Sequence, residues 1–334
     1  MNAMTNQETE RRHPKPARRV PERKRSALLS PVAGQANLEE PGLFEPRRIA
    51  FIESIADLRP RLHRYCARMT GSALDGEDVM QEAVFDAYLK LGSFDVARPL
   101  GPWLFRIAHN RCIDFLRRQQ ARREVEAEAA PPPLVHPSEA MGKGVDRAIE
   151  RLVIALPPKE RACVLLKDVF DYSLEEIADL VESTTGGVKA ALNRGRGKLA
   201  TLTDERRPER KANEDELALL RLYVDRFNRC DWQGVRELAS ADARLRVADC
   251  FAGRLADSPY FVEYERPIVP WRMAPGEVDG ETVVVILRDE PQGAVPFSAI
   301  RIGLAGGKVA SISDYIKCAW VLETASVALT STPA

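Results

Sequence analysis

From about residue 49 the apolar positions fall in the spacing of a helix face. Phe51, Ile55, Leu58, Leu62, Tyr65 and Met69 follow at steps of four and three, which lays them along one side of an α-helix. Gly71, just beyond Met69-Thr70, supplies the stop signal. The pattern predicts a second helix from about Gly76 to Leu91 and, after the loop GSFDVARPLGP, a third from Trp103 to about Arg123. Trp103, Ile107 and Phe115 are among its apolar positions. Helical periodicity resumes at Ala148 and continues to about Leu199, broken at Leu156-Pro157-Pro158 and around Asp171-Tyr172-Ser173.

The pattern changes after residue 214. Leu217, Leu220, Tyr223, Val224 and Phe227 predict one amphipathic helix, and Trp232 to Leu238 a shorter one. Alternation then takes over at Arg244–Val247, Glu281–Arg288, Pro296–Leu304 and Lys308–Ile316, the spacing of half-buried strands. Ala305-Gly306-Gly307 reads as the hairpin turn between the last two. The fold class expected is therefore multidomain, with two all-α units followed by an α+β domain.

Composition divides the chain further. Residues 11–25 hold eight Lys/Arg against one Glu, with three Pro, and have almost nothing apolar to bury. Residues 1–48 are thus expected to form a disordered basic arm, either a solubilising tail or a contact for nucleic acid or a partner surface. The three consecutive prolines at 131–133 mark a linker over 127–143, and the charge-rich run at 202–213 marks another. The helical units between them are 49–126 and 144–201, and the last domain is 214–330. The whole chain balances 49 Lys+Arg against 49 Asp+Glu, so the charge signal lies in its distribution.

No apolar run reaches eighteen residues and no short apolar leader opens the chain, so neither a membrane span nor export is expected. Six scattered cysteines without a CxxC pair read as reduced thiols of a cytoplasmic protein. His63/Cys66 and His109/Cys112 have the three-residue spacing that places two ligands on one helix face. Without a paired Cys motif beside them, neither a metal nor any other cofactor is expected.

Residues 173–199 have the layout of a helix-turn-helix. Ser173 and Glu176 stand at the capping-box positions of a first helix, and Thr184 can cap a second. That second helix turns Val188, Ala191 and Leu192 inward and carries Lys189, Arg194, Arg196 and Lys198 with no acid among them. Apolar toward the scaffold and cationic toward phosphates is what a DNA-reading helix requires, although a solvated basic face has the same pattern. Upstream, the second helix offers Glu77, Asp78, Gln81, Glu82 and Asp86. The third carries Arg106, Arg111, Arg117, Arg118, Arg122 and Arg123. One face suits a basic protein partner, the other nucleic acid.

EDVMQEAVFDAYLKL followed by GPWLFRIAHNRCIDFLRR resembles region 2 of the extracytoplasmic-function (ECF) sigma factors of bacterial RNA polymerase. LPPKERACVLLKDVFDYSLEEIADLVESTTGGVKAALNRGRGKL resembles their region 4. The resemblance spans roughly residues 49–201, with both blocks in order. It implies that Asp78, Gln81 and Glu82 dock on a coiled-coil of the largest subunit of core RNA polymerase. Phe94, Asn110, Arg111, Asp114, Arg117 and Arg118 would engage the −10 element of promoter DNA. Thr184, Lys189, Arg194, Arg196 and Lys198 would engage the −35 duplex. The chain departs from the family pattern in having Glu182 at a turn position often held by Gly, Gly186-Gly187 for Gly-Thr, and Ala190-Ala191 for Ser-Arg.

The C-terminal domain resembles the SnoaL-like, ketosteroid-isomerase-type cone, expected as a curved antiparallel sheet. The implied function is a sigma factor without enzymatic activity, regulated in cis by contact between the cone and the sigma regions. The different-class alternative is a DNA-binding regulator fused to a small cone-fold enzyme or ligand sensor. The cone has no His, so Asp249, Tyr260, Tyr264 and Asp314 are its candidate acid–base groups, and a small ligand in the cone stays open. Trp271 and the string Phe251, Tyr260, Phe261, Val262 and Tyr264 read as cone lining or as interface.

Overall fold

The computed structural model describes residues 46–95, 97–129, 155–201, 214–265, 270–291, 293–323 and 325–330. Residues 1–45 of the expected basic arm, nearly all of the linker 127–143 and the whole linker 202–213 lie outside these residues, whereas 46–48, expected in the arm, open the first helix.

Helix α1 (Pro46–Thr70) buries the stripe predicted for it, from Phe51 to Met69. It ends where Gly71 takes φ 84° and its N–H bonds to the Ala67 carbonyl at 2.8 Å. Ser72 then caps α2 (Ala73–Leu89) by accepting from Asp75 N at 3.2 Å. This cap starts α2 one turn before Gly76, where the apolar spacing alone placed it. Gly76 serves packing instead. A Cβ there would stand 2.4 Å from the Ala67 backbone, so the two helices cross at contact distance. Helix α3 (Leu100–Ala129) also starts a turn early, and its last three residues, 127–129, fall where the linker was expected.

In the second unit α4 (Pro158–Val164) continues into a wide turn over Leu165–Val169, and α5 (Leu174–Leu180) and α6 (Thr185–Thr201) follow. Glu182, between α5 and α6, has φ 50°, the left-handed backbone that favours Gly. The helical units share one core. Phe170 packs on Tyr65 and Phe105, with ring centroids 5.8 and 5.6 Å apart, and Arg161 Nη1 donates to the Met69 carbonyl.

The C-terminal domain opens with α7 (Glu214–Asn228) and α8 (Trp232–Leu238). A seven-stranded sheet follows in the order β2-β1-β6-β5-β4-β3-β7. Its strands are β1 (Ala239–Val247), β2 (Phe251–Arg254), β3 (Trp271–Val278), β4 (Glu281–Glu290), β5 (Gly293–Ala305), β6 (Lys308–Asp314) and β7 (Val327–Leu329). Helix α9 (Val262–Glu265) lies between β2 and β3. Gly306 (φ 58°) and Gly307 (φ 72°) form the predicted β5–β6 turn.

The sheet is mixed, a correction to the all-antiparallel expectation: β1 pairs with β6 in parallel. Strands β2, β3 and β7 escaped prediction. Two are only four and three residues long, and β3 carries Pro275-Gly276, a pair that ordinarily signals a break. One face of the sheet packs on α7 and α8 through Tyr223, Phe227, Ile286, Ile300 and Ile312. The opposite face packs through Val283, Val285, Leu287 and Ala299 on Ala73 and Leu74, the first residues of α2.

Candidate functional site

That second face carries more than apolar contacts. Side chains alternate along strands, so Arg246 on β1, Arg301 on β5 and Tyr315 just past β6 all project from it toward the acidic start of α2. Asp78 receives all three. Tyr315 Oη donates to Oδ1 at 3.0 Å, Arg301 Nη1 to Oδ2 at 3.2 Å, and Arg246 Nη2 bonds Oδ1. Arg301 Nη2 also reaches Asp75 Oδ1 at 2.8 Å and Glu281 Oε2 at 2.6 Å. Burial works against the Arg301 charge, yet Tyr315, Glu281 and Asp75 around it hold its pKa above the ordinary guanidinium value. Burial likewise pushes the Tyr315 phenol up to about 12, so it stays an O–H donor at neutral pH.

The residue preceding Asp78, Glu77, is fully buried. It accepts from Gln81 Nε2 at 2.8 Å, Trp320 Nε1 at 2.8 Å and Cys318 Sγ at 3.1 Å. At the start of α2, Ala73 N donates to Asp279 Oδ2 at 2.8 Å. Arg59 of α1 pairs with Asp249. Asp249 is therefore an interface residue, in place of the acid–base group expected there. Glu77, Cys318 and Asp249 bring three potential metal-ligand atoms within 4.8 Å of one another, but each already has a protein partner. Of the three α2 residues predicted to dock, Asp78 and Gln81 are engaged by the C-terminal domain. Glu82 stays open, 3.9 Å from Arg111 and 3.8 Å from Arg118.

The residues predicted for the −10 element divide into two groups. Asn110, Arg111, Asp114, Arg117 and Arg118 line one side of α3, where Arg111 is tied to Asp86 and Arg117 to Asp114 at 3.4 Å. Phe94 stands apart, its ring 4.6 Å from that of Trp103 at the other end of the helix. Both rings pack against the helical core.

In the helix-turn-helix both predicted caps are present. Ser173 and Glu176 bond reciprocally at 3.2 and 2.8 Å, and Thr184 Oγ1 accepts from Gly187 N at 3.0 Å. Val188, Ala191 and Leu192 are buried as expected. The cations are differently placed from the acid-free face expected. Glu160 of α4 takes Arg194 at 2.9 Å and Lys198 at 2.8 Å, and Asp168 takes Arg196 at 2.5 Å. The acids come from the preceding helix and its wide turn, which the sequence of α6 alone does not reveal. Lys198 foremost, and then Arg194, hold the Glu160 carboxyl below its usual pKa. Lys189, near the start of α6, is exposed and has no ion pair among the described residues.

The two His/Cys pairs are structural. His63 Nε2 bonds the Ala73 carbonyl at 3.0 Å, His109 Nδ1 bonds Tyr65 Oη at 2.9 Å, and Cys66 and Cys112 are buried. Inside the cone Asp314, Tyr260 and Tyr264 do come together. Tyr260 and Tyr264 donate to Asp314 Oδ2 at 2.8 and 2.5 Å. The aromatic string and Trp271 line this interior, except Val262, which is 62% exposed. Among the described residues no helix is long and apolar enough to cross a membrane.

Comparison with known proteins assigns the helical units. Residues 55–122 match the Sigma-70 region 2 model and residues 146–199 the Sigma-70, region 4 model. The ECF RNA polymerase sigma factor SigW of Bacillus subtilis (strain 168) is 32% identical over 159 residues, covering 44% of this chain and 85% of SigW. The chain belongs to the ECF sigma factors. SigG of Mycobacterium tuberculosis (strain ATCC 25618 / H37Rv) is 30% identical over 253 residues, covering 67% of this chain and 68% of SigG. Residues 49–201 of this sigma factor cannot supply that length, so the similarity runs into the C-terminal domain. The crystal structure of the M. tuberculosis ECF sigma factor SigJ covers 82% of this chain and 98% of that one, at 16% identity and a TM-score of 0.33.

Proposed function

We propose that this sigma factor binds core RNA polymerase through the Asp78–Gln81–Glu82 face of α2, directs promoter recognition and melting, and is held closed in cis by its SnoaL-like C-terminal domain. Region 2 would engage the −10 element with Phe94, Asn110, Arg111, Asp114, Arg117 and Arg118. Region 4 would read the −35 duplex with Thr184, Lys189, Arg194, Arg196 and Lys198. The observation that carries the closed state is the capture of Asp78 by Arg246, Arg301 and Tyr315. A carboxylate whose charge is already balanced by two guanidinium groups and which also holds a phenol attracts a basic coiled-coil far less, so docking and cover compete for Asp78.

The core shared by regions 2 and 4 supports the same reading. Elements centred about 25 base pairs apart lie roughly 85 Å apart along a duplex. Two readers packed through Tyr65, Phe105 and Phe170 cannot reach both, so polymerase binding must separate them. Release of the cover and parting of the two regions are then one transition between closed and open forms.

The test compares the affinity of core RNA polymerase for the full chain and for residues 1–201, side by side. Tighter binding by the shorter chain is the expected result. Weaker binding would make the C-terminal domain an additional polymerase contact and overturn the closed-state reading. No binding by either would remove the sigma assignment of the α2 face.

A further inference from the structure

The C-terminal domain holds only the first half of the α2 docking face. Among the described residues its hydrogen bonds to α2 run from Ala73 to Gln81, where Gln81 Nε2 lies 3.9 Å from Cys318 Sγ. Glu82, the next residue, faces Arg111 and Arg118 of α3 instead. At 3.6 residues per turn, Phe85 and Leu89 fall within about 20° of Asp78 around the helix axis, and about 10 and 16 Å farther along it. Asp78, Glu82, Phe85 and Leu89 therefore form one stripe. Its near end is gripped and its far end is open.

That far end is apolar. Phe85 is 61% exposed and Leu89 60%, while Val84 and Tyr88, one residue before each, pack on the helical core. Side chains four apart on a helix meet, so the two make one patch. A single exposed apolar residue is commonplace and needs no partner. Here two large ones adjoin, and they continue the line of residues expected to dock on polymerase. Glu82 and Asp86, tied to arginines of α3, give the patch a polar rim. An apolar centre within a polar rim is the anatomy of a protein interface. Continuity with Asp78 names the occupant: a coiled-coil laid along α2 meets its stripe over several turns, basic side chains on the acids and apolar ones on Phe85 and Leu89.

We propose that Phe85 and Leu89 are the entry site for core RNA polymerase on the closed protein. Its coiled-coil lands on this patch while the C-terminal domain still holds Asp78. It then advances along α2 and displaces Arg246, Arg301 and Tyr315 from that carboxylate. The inference rests on the masking of Asp78 proposed above and adds what masking alone lacks, a way in. If the cover had to leave first, binding would be limited to whatever fraction of the protein is open. An entry site lets the binding energy gained at the far end of α2 act against the grip at the near end. Both competitors then share the helix for a time, because their contacts begin at opposite ends of it.

The test is stopped-flow association of core polymerase with four full-length proteins: the natural chain, Phe85→Gln, Arg301→Ala and the two changes together. Leu89→Gln, alone and with Arg301→Ala, repeats the comparison. Both side chains are largely exposed, so Gln should leave the fold intact, which thermal unfolding checks. In the otherwise natural chain Phe85→Gln should slow association roughly tenfold, the worth of burying most of one phenylalanine ring. In Arg301→Ala, where Asp78 is already open, the same change should slow it about threefold or less. Interface substitutions ordinarily act on dissociation, so association lost selectively in the covered protein marks a residue used at encounter. Equal slowing in both backgrounds would make Phe85 an ordinary part of the docking face and overturn the entry role. No slowing in either, or a dimer in sedimentation that Phe85→Gln disperses, would overturn the patch as a polymerase site. An Arg301→Ala protein with unchanged core affinity would overturn the masking itself, and the entry role with it. Tighter core binding by Arg301→Ala together with equal slowing would overturn the entry role alone.

Discussion

Arg301 reaches Asp78 across 223 residues of chain, Nη1 to Oδ2 at 3.2 Å, with its other terminal nitrogen on Asp75 and Glu281. One guanidinium on the C-terminal sheet thereby sits between two carboxylates of region 2 and one of its own strand neighbourhood. Without that charge Glu281 would face Asp75 and Asp78 directly. The attachment of the sheet to α2 therefore adds an electrostatic condition to the apolar contacts it makes with Ala73 and Leu74.

Arg301→Ala should accordingly open the closed form. The Arg301, Asp75 and Asp78 side chains are each 22–26% exposed, so solvent screening lowers the loss to about 1–2 kcal/mol. That corresponds to core polymerase binding about five- to thirtyfold tighter. Fluorescence anisotropy with labelled protein and core enzyme measures it, and an unchanged dissociation constant would contradict the masking.

Asp78→Arg separates cover from docking. The new cation would face Arg246 and Arg301, so the C-terminal domain should detach and the hydrodynamic radius rise. Core polymerase should nevertheless be lost, because a cation now meets a basic docking surface. Co-elution of the variant with core enzyme at the wild-type level would sink the assignment of Asp78.

These contacts mark the limit of what the sequence makes legible. Local signals were sufficient wherever the cause was local: the Phe51–Met69 stripe, the Ser173–Glu176 capping box, and the Gly306-Gly307 turn. Even the departure at Glu182 was visible, since the position usually held by Gly takes a left-handed backbone here too. Arg246, Arg301 and Tyr315 offered no such signal. A charged or polar residue at an outward strand position ordinarily faces water, and their partner Asp78 lies 168 to 237 residues away. The acids paired with the α6 cations are illegible for a related reason, because they stand on α4 and the turn after it. Only the register of β1, β6 and β5, including the parallel pair that alternation cannot reveal, brings the grip on α2 together.

Region 4 should lose a pH-dependent contribution in Glu160→Gln. Its carboxyl accepts from Lys198 and Arg194 and is held below its usual pKa. A depressed carboxyl contributes stability that is present above the unfolded value of about 4.5 and disappears as pH falls through the lower folded value. The variant should be less stable by about 1 kcal/mol at pH 7, given cations that are half exposed, and the gap should narrow at an acid pH below the unfolded value. Urea titrations at the two pH values report it. A gap of the same size at both would assign the loss to packing.

His109 acts in the same direction at milder acid pH. It is buried on α3 against Tyr65, and burial lowers its pKa to about 4. Burial also holds the Tyr65 phenol well above its ordinary value, so the pair is two neutral groups joined by a hydrogen bond at 2.9 Å. In the unfolded chain His109 titrates near 6.5. Above that pH neither state takes a proton and the site is at its most stable. As pH falls below 6.5 the unfolded chain gains the proton first, and folding weakens by about 1.4 kcal/mol per unit until the folded value is reached. Between pH 7 and 5 the loss is about 2 kcal/mol, in a range where most carboxylates are still ionised. Tyr65 touches Phe105 and Phe170, so the loss falls on the core that holds regions 2 and 4 together. His109→Gln keeps a polar partner for Tyr65 and cannot titrate. It should be less stable than the natural protein at pH 7 and show a clearly shallower decline to pH 5 in urea unfolding. Equal declines in the two proteins would mean that His109 is already able to accept a proton in the folded state.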